Sequence, residues 1–220
     1  MLSLDPVEGQ NFSLIPFGTT PFLWNPTARP LSFANVSTKR NRTTVYQKGL
    51  REHLQLDIDD GNPLRWRRIV FETKEYRNDA ARLIVSNDVK RLITPMSVAE
   101  FGNLASALFE GSEGNDWSTT FTAKVDLNRV KLHSDKSRIL RSGNDHTHSH
   151  SFRVYYPFEK NFTYDEDEFA DGKTSSVYAT SGLKGMGDVY VLDIFQNVGG
   201  DVDDWRAIWR ANATMYWHEK

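Results

Sequence analysis

The histidines between Asp145 and His150 are the residues of this sequence whose spacing best suits metal binding. Histidine occupies every second position from 146 to 150, with hydroxyl residues between. Alternate residues of an extended strand point to one side, so two or three imidazoles could bind one zinc or copper ion. Gly143 and Asn144 precede them and favour a turn, and no partner carboxylate can be assigned. We therefore expect a polar loop, with a divalent ion at His146–His150 as the alternative.

A run of four acidic residues, Asp165 to Glu168, could bind a hard cation through its carboxylate oxygens. The run lacks the ligand spacing and the central glycine of an EF-hand loop. It therefore predicts a solvated loop. Two alternatives stay open if copies of the chain assemble: the acids could pair with basic residues of a neighbouring copy, or they could hold a divalent ion between copies.

Motifs for catalysis are missing from the sequence. There is no cysteine, which excludes disulfides, thiol nucleophiles and cysteine-ligated metal centres. There is also no phosphate-binding loop, dinucleotide-binding fingerprint, paired-histidine zinc motif or serine-hydrolase elbow. The segment Gly182–Gly187 predicts only a flexible loop. Because no nucleophile lies beside a base at an informative spacing, we predict a non-enzymatic protein without a cofactor or a bound metal.

Two groups of basic residues stand at the beginnings of two predicted strands, Lys39–Arg42 and Arg65–Arg68. If the strands paired, the groups would lie close together and contact phosphates, with Trp66 or Tyr46 stacking on an unpaired base. Such contacts address the nucleic-acid backbone and not its sequence. The candidate DNA-binding residues are Lys39, Arg40, Arg42, Lys48, Arg65, Arg67 and Arg68. In the alternative interpretation, Trp66 lies in the core and the arginines lie at a rim or an interface.

The distribution of charge agrees with a basic site in this part of the chain. The net charge of -2 does not by itself indicate a nucleic-acid binder. Residues 39–91, however, contain 13 Lys and Arg against 8 Asp and Glu, whereas residues 161–220 contain 5 against 11. The first segment could face phosphate groups, and the second could face a basic partner. Alternatively, the two segments form solvated surfaces that differ in charge by chance.

Hydrophobic residues with a period of two predict an all-β protein. In Thr44–Ile58, apolar even positions alternate with polar odd positions, as in a half-buried antiparallel strand. Turn residues at 59–63 lead into a second strand, Leu64–Tyr76, and the two strands resemble a hairpin-like pair. Further apolar runs occur at Val130–Leu132, Phe152–Phe158, Tyr190–Phe195 and Trp209–Trp217. Glycine, asparagine and aspartate clusters separate them, which is the pattern of a β-sandwich with some long connections.

One amphipathic helix is predicted within this β pattern. Pro95 precedes the capping box Ser97–Glu100, and apolar residues then recur at helical spacing until Gly111. The apolar face comprises Val98, Phe101, Leu104, Ala105 and Leu108. A single helix in such a chain is expected in a loop between strands, where it covers a sheet edge.

Length and composition describe one folded domain. The chain has 220 residues, which suits a single β-sandwich. Six tryptophans and an aromatic content of 12%, at a mean hydropathy of -0.56, predict a core of large side chains. The first residues contain no basic region followed by an apolar stretch, and no segment approaches the length of a membrane span. We therefore expect an intracellular protein.

Six parts of the chain, taken in order, carry a family resemblance. They are Tyr46–Glu52, Trp66–Phe71, Asp135–Arg138 with Ser142–Asp145, Asn161–Glu168, Gly185–Asp188 and Tyr216–Lys220. Together they resemble the capsid proteins of the genomoviruses, which are circular single-stranded DNA viruses associated with fungi and related to the geminiviruses. The resemblance extends from about residue 43 to the last residue. It rests on the ordered set, because no single part is specific.

The resemblance implies an eight-stranded antiparallel jelly-roll sandwich, with residues 1–42 as an N-terminal extension and residues 43–220 as a single capsid domain. It implies a structural protein that self-assembles into an icosahedral T=1 shell of roughly 60 copies around circular single-stranded DNA. The expected partners are further copies of the chain, the DNA genome and host nuclear import factors, without a membrane. The expected locations are the virion and the host cell nucleus.

The beginning of the chain departs from the family pattern. Relatives usually begin with an arginine- and lysine-rich arm that binds DNA and carries nuclear import signals. Residues 1–38 contain only Arg29 as a basic residue. Either the arm has been removed, or packaging relies on the basic groups Lys39–Arg42 and Arg65–Arg68. Nuclear import through this chain alone is correspondingly less expected.

Two alternatives lie outside this family. A hydrolase that uses histidine and carboxylates would require a pocket with paired titratable groups, which the sequence does not show. The stronger alternative is a β-sandwich module that binds carbohydrate or another ligand. Surface aromatic residues such as Trp24, Trp117 and Trp205 would then form a stacking platform. This alternative requires that the tryptophans be exposed in a concave patch.

Overall fold

Antiparallel strands dominate the fold, and one helix lies in a long connection. A computed structural model describes residues 7–13, 19–31, 39–58, 61–77, 83–85, 88–90, 94–141, 146–169, 172–198 and 206–219. The elements are β1 (Val7–Ser13), β2 (Thr19–Trp24), β3 (Thr44–Ile58), β4 (Leu64–Thr73), β5 (Leu83–Val85), β6 (Asp88–Lys90), β7 (Thr94–Pro95), α1 (Val98–Leu108), β8 (Lys131–Leu140), β9 (His148–Thr163), β10 (Glu168–Phe169), β11 (Gly172–Lys173), β12 (Asp188–Asn197) and β13 (Arg206–Glu219).

Two sheets face each other across a common core. Sheet A has four strands in the order β1-β13-β3-β9, and sheet B has five in the order β7-β2-β12-β4-β8. All neighbouring strands in both sheets are antiparallel. The protein is therefore an all-β sandwich with one helix, as the alternation predicts. The strand number differs from the expected eight, because β7 adds a fifth strand to sheet B.

The strand pairs are nested along the chain. β1 pairs with β13, β2 with β12, β3 with β9 and β4 with β8. Strands from the beginning of the chain therefore pair with strands from its end, and successive pairs alternate between sheet A and sheet B. Two further ladders, β13–β3 and β12–β4, join the pairs into the two sheets.

β3 and β4 begin where the sequence predicts, but they do not pair with each other. β3 lies in sheet A between β13 and β9, whereas β4 lies in sheet B between β12 and β8. The expected hairpin-like pair is therefore wrong, because the connection from Ile58 to Leu64 carries the chain from one sheet to the other. Alternation specifies which side of a strand is buried, and it does not specify the partner strand.

Large apolar side chains fill the space between the sheets. The ring of Trp66 on β4 lies 5.3 Å from that of Trp209 on β13 and 5.0 Å from that of Phe152 on β9, measured between centroids. Its indole nitrogen donates a hydrogen bond to Asp193 at 2.8 Å. Only 3% of Trp66 is exposed, so this residue belongs to the core and is not available to stack on a base. Burial of a large apolar side chain stabilises a fold by about 1.5–3 kcal/mol.

A second apolar layer covers the outer face of sheet B. The helix α1 begins after Ser97, which forms the expected capping box with Glu100. Leu104 and Leu108 of α1, together with the segment 109–130, pack against apolar side chains of β4 and β12. The helix therefore covers a sheet face and not the predicted edge. Within the described ranges, no helix is both long and apolar enough to cross a membrane.

Residues before position 43 contribute two strands to the sandwich. β1 lies at the edge of sheet A, and β2 lies in sheet B between β7 and β12. The segment after β2 is also buried, and the guanidinium of Arg29 lies 4.0 Å from the ring centroid of Trp217. Residues 1–42, which were expected to form an N-terminal extension, thus contain part of the sandwich. Alternation did not reveal β2, because four successive residues of this strand, Pro21 to Trp24, are buried.

Candidate nucleic-acid interface

Arg40, the centre of the first basic group, lies in the protein interior. Its exposure is 0%, and it forms an ion pair with Glu166. The guanidinium carbon lies 3.6 Å from the ring centroid of Tyr164. The guanidinium also donates to three backbone carbonyl oxygens at 2.8–3.2 Å, those of Arg29, Arg42 and Ser176. These contacts fix the segment before β3 against the connection between β9 and β12.

Arg67 is buried on the outer side of sheet B. Its Nε and Nη2 atoms donate to the two carboxylate oxygens of Asp135 on β8, at 2.9 and 2.6 Å. Its Nη1 donates to the backbone carbonyl oxygens of Thr120 and Ala123, the latter at 2.9 Å. One guanidinium therefore joins β4 and β8 to the segment that covers sheet B.

Arg68 lies on the opposite side of β4, between the two sheets. It pairs with Glu52 of β3 at 2.5 Å and with Asp193 of β12 at 3.3 Å. Both carboxylates are buried. Burial raises the pKa of Glu52 to about 7, against the opposing effect of Arg68. Burial also raises the pKa of Asp193, again opposed by Arg68.

The burial of these three arginines argues against their assignment as phosphate ligands. A buried charge is costly unless its own chain supplies the partners. Each of these guanidinium groups has a carboxylate partner, and those of Arg40 and Arg67 also donate to backbone carbonyl oxygens. We therefore remove Arg40, Arg67 and Arg68 from the candidate interface. Successive residues of a strand point to opposite faces, and both faces of β4 are buried.

The remaining four predicted residues are accessible but do not form one patch. They are Lys39, Arg42, Lys48 and Arg65. Lys48 belongs to sheet A and pairs with Glu159 at 2.5 Å. Arg65 belongs to sheet B and donates to Gln196 at 3.1 Å. The two basic groups are not brought together, because β3 and β4 lie in different sheets.

The outer face of sheet A is polar, and the side chains at its centre are exposed or half-buried in the described structure. Cross-strand pairing arranges its side chains in rows that run across β13, β3 and β9. The first row is Thr214, Arg51 and Tyr155, and the second is Asn212, His53 and Arg153. These residues are exposed or half-buried, while the alternate positions of the same strands face the core. The face thus presents basic, aromatic and hydroxyl groups together.

The two described acidic side chains of this face already have partners. Asp57 forms an ion pair with Arg210 and accepts a hydrogen bond from Ser149 at 2.6 Å. Glu159 pairs with Lys48. These contacts leave the central part of the face without a free carboxylate among the described residues.

Arg51 and Arg153 are exposed at the centre of the same face. Arg51 is paired in register with Tyr155 and Arg153 with His53, so the two arginines are diagonal neighbours on adjacent strands. Diagonal neighbours in an antiparallel pair lie roughly 7–8 Å apart. Neither guanidinium forms an ion pair with a described residue. Two adjacent positive charges without a counter-charge can bind an anionic group.

An aromatic ring lies beside these arginines in a fixed position. Tyr155 is 49% exposed and lies across the backbone of Gly49. A Cβ atom at position 49 would lie 2.5 Å from the Tyr155 hydroxyl oxygen, so only glycine leaves room for the ring. On the same face, the rings of Tyr46 and His218 stack with centroids 6.3 Å apart. The face therefore offers aromatic surface as well as positive charge.

The prediction from sequence missed Arg51, His53, Arg153 and Tyr155. It concentrated on adjacent basic residues, which a strand divides between its two faces. A search for basic and aromatic residues two positions apart would have found Arg51 with His53, and Arg153 with Tyr155. The signal was therefore present in the alternation of β3 and β9.

The histidine segment lies partly in a strand. His148 and His150 are half-buried at the beginning of β9, with ring centroids 5.0 Å apart, and only His146 fits the expected polar loop. Burial lowers the pKa of His150, and the neighbouring His148 lowers it further. In the part of the chain that the structure describes, no three His, Asp or Glu side chains are grouped so that they could hold a metal ion. Gly143 and Asn144 lie outside that part.

Two acids of the run make contacts within the chain, whereas Asp167 is exposed, as expected for a solvated loop. Asp165 pairs with Arg77 at 3.0 Å. Glu166 pairs with Arg40 and accepts a hydrogen bond from Thr43 at 2.6 Å. Glu166, the buried acid of the run, is therefore a partner of Arg40 within the chain.

Of the three tryptophans expected to form a sugar-stacking platform, the structure describes Trp24 and Trp117. Trp24 is fully buried. Trp117 is half-buried, and its indole nitrogen donates to the backbone carbonyl of Glu110 at 3.1 Å. Trp205 lies outside the described residues. Neither of the two described tryptophans provides the open platform that the ligand-binding alternative requires.

The fold and the candidate interface define the class as an all-β sandwich in which one sheet face is polar, basic and exposed in the described part of the chain. Compared with known proteins, the chain matches no family model and no curated protein.

Proposed function

We propose that this chain is a structural coat protein that self-assembles into a small icosahedral shell around circular single-stranded DNA, as genomovirus capsid proteins do. In this proposal the sandwich is a jelly roll, and roughly 60 copies form a T=1 particle. The chain acts in the virion and in the host cell nucleus, with nuclear import factors as further partners. It has a structural role and no catalytic one.

The nested pairing of the strands is the observation that carries the proposal. A jelly roll is a long antiparallel hairpin wrapped into two facing sheets, so its first strand pairs with its last and its inner strands pair in nested order. The pairs β1–β13, β2–β12, β3–β9 and β4–β8 follow this order and alternate between the sheets. Jelly rolls occur in viral capsids and also in lectins, so the fold alone does not select a function. The ordered resemblance favours the capsid.

Exposed apolar side chains in the long connections also support assembly. Val98, Leu127 and Leu183 are 87%, 61% and 59% exposed, and all three lie between strands. Subunits of a closed shell bury apolar residues at several different interfaces. Loops on a rigid sandwich can supply such contacts while the core stays unchanged. In the proposed shell, these residues lie at contacts between copies.

Assembly of the purified full chain tests the proposal. We expect closed particles of uniform size by negative-stain electron microscopy, and sedimentation far above the 25.2 kDa of one chain. Absorbance at 260 and 280 nm after nuclease treatment then reports enclosed nucleic acid. A chain that stays monomeric across salt concentration and pH would contradict the proposal. A glycan that protects that monomer against unfolding would support the ligand-binding alternative instead.

A further inference from the structure

We infer that single-stranded nucleic acid binds along the outer face of sheet A, with Arg51 and Arg153 on its phosphates and Tyr155 against a base. This inference rests on the proposed packaging function and names the surface that performs it. None of these residues belongs to the basic groups predicted from sequence.

Only one of the two outer sheet faces is open in the described structure. α1 and the segment 109–130 cover the outer face of sheet B with apolar side chains. The outer face of sheet A carries exposed polar residues on β3, β9 and β13. An antiparallel sheet with one solvated face presents a nearly flat surface on which an extended strand of nucleic acid can lie.

The charges on this face suit a polyanion. Asp57 and Glu159 are neutralised by Arg210 and Lys48, so among the described side chains of this face the positive charges of Arg51 and Arg153 are left in excess. Phosphates bound by such cations release their counterions, which drives binding independently of base sequence. Thr214 lies opposite Arg51, and Asn212 lies in the row of Arg153 with His53 between them. Both side chains offer neutral hydrogen-bond donors.

The aromatic groups favour an unpaired strand over a duplex. Tyr155 is held across Gly49, so its ring loses little freedom when a base stacks on it. Bases stack on such rings only where they are free of a complementary strand. In a duplex the bases are already stacked on each other, and this flat face presents no helix or ribbon to enter a groove.

A second copy of the chain fits this face less well. In a twofold contact the same patch meets itself, so Arg51 and Arg153 would approach their own counterparts. The described part of the patch contains no free carboxylate to offset that repulsion.

The double variant Arg51→Ala with Arg153→Ala tests the inference in the full chain. Its matched control, Arg141→Ala with Lys184→Ala, removes the same charge from exposed positions outside sheet A. We measure binding of a fluorescein-labelled 20-nucleotide thymidine oligomer to unassembled chain, and nuclease-resistant nucleic acid in particles. Log affinity falls as log salt concentration rises. Loss of two phosphate contacts should make this fall less steep, by about 1.4 in the slope. The control should bind like the parent chain.

Each result decides the inference. An unchanged slope in the double variant, or an equal loss in the control, overturns it. Normal oligonucleotide binding together with failed assembly also overturns it, because the face is then a subunit interface. If the alanine variant is unfolded, Arg51→Gln with Arg153→Gln keeps the aliphatic stem and a polar end without the charge, and it decides in its place. If the parent chain forms no particles, the proposed assembly into a shell is wrong. Oligonucleotide binding by the unassembled chain then still tests whether this face binds nucleic acid.

The base contact is tested separately at Tyr155. Tyr155→Phe keeps the ring and should bind the oligomer like the parent chain. Tyr155→Leu removes the ring and should weaken binding at least fivefold, since one stacked base contributes about 1–3 kcal/mol. Equal affinities of the two variants would remove Tyr155 from the inferred site.

Discussion

Arg68 of β4 and Glu52 of β3 form an ion pair that joins the two sheets, with Nη2 2.5 Å from Oε2. Asp193 of β12 is opposite Arg68 in the ladder and is its second carboxylate partner. Asp193 also accepts a hydrogen bond from the indole of Trp66. This polar cluster lies between the two sheets among large apolar side chains, and its one cation faces two buried carboxyl groups.

Replacing that cation should be strongly destabilising. Arg68→Ala leaves Glu52 and Asp193 buried without a counter-charge, and breaking a buried pair in this way costs about 3–5 kcal/mol. Urea denaturation followed by tryptophan fluorescence measures the free energy of unfolding. The exposed Arg141→Ala is the control and should change it by less than about 0.5 kcal/mol. A loss below about 1 kcal/mol for Arg68→Ala would show that the cluster contributes little.

Arg40 provides a second test of which basic residues are structural. Arg40→Lys keeps the charge but cannot reproduce the ion pair with Glu166, the stacking on Tyr164 and three carbonyl contacts at once. We expect the free energy of unfolding to fall by about 2–3 kcal/mol, because buried carbonyl groups lose their hydrogen-bond donors. The exposed neighbour Arg42→Lys should be neutral in the same chemical denaturation experiment. If Arg40→Lys were as stable as Arg42→Lys, the structural role of Arg40 would be contradicted, and Arg40 would again be a candidate phosphate ligand.

Local patterns predicted single elements well and pairings poorly. β3 matches the predicted Thr44–Ile58, and α1 has the predicted capping box. The ladder partners of β3 are far away in sequence: Thr44 faces Thr163, and Val45 faces Glu219. No local period encodes such contacts. The burial of Arg67 and Arg68 depends on the same long-range packing, which is why the candidate interface had to move to Arg51 and Arg153.

Asp188 should make stability depend on pH. This carboxyl is buried and accepts a hydrogen bond from the backbone N–H of Ala179 at 3.1 Å. Burial raises its pKa to about 7, more than the hydrogen bonds lower it. Between pH 4 and pH 7 the folded state keeps a proton that the unfolded state has lost. The stability contribution is therefore complete below about pH 4 and is lost as the pH rises through 7.

The variant Asp188→Asn isolates this contribution, because an amide carries no titrating proton and keeps an oxygen acceptor. Between pH 5 and pH 7, its free energy of unfolding should fall less steeply than that of the parent chain, by up to about 1.4 kcal/mol per pH unit. Urea denaturation at each pH gives the slopes. The exposed Glu75→Gln serves as the control and should follow the parent chain. Parallel curves for Asp188→Asn and the parent chain would contradict the raised pKa.

Gly49 and Gly102 should respond to alanine with opposite signs. Gly49 lies in β3 at an irregularity in its pairing with β9. A Cβ atom there would lie 2.7 Å from the carbonyl oxygen of Tyr156, and no side-chain rotation can move that backbone atom. Gly49→Ala should therefore reduce stability by about 1–3 kcal/mol. It should also displace the Tyr155 ring, which crowds the same position.

Gly102 lies inside α1, and a Cβ atom there would meet nothing within 4 Å. Alanine is the better helix former, so Gly102→Ala should raise the free energy of unfolding by about 0.5–1 kcal/mol. Thermal and urea denaturation of both variants, in the same buffer, compare the two glycines directly. If Gly49→Ala were as stable as the parent chain, the close approach of β9 to β3 would be absent. The fixed position of Tyr155 on the inferred nucleic-acid face would then lose its structural basis.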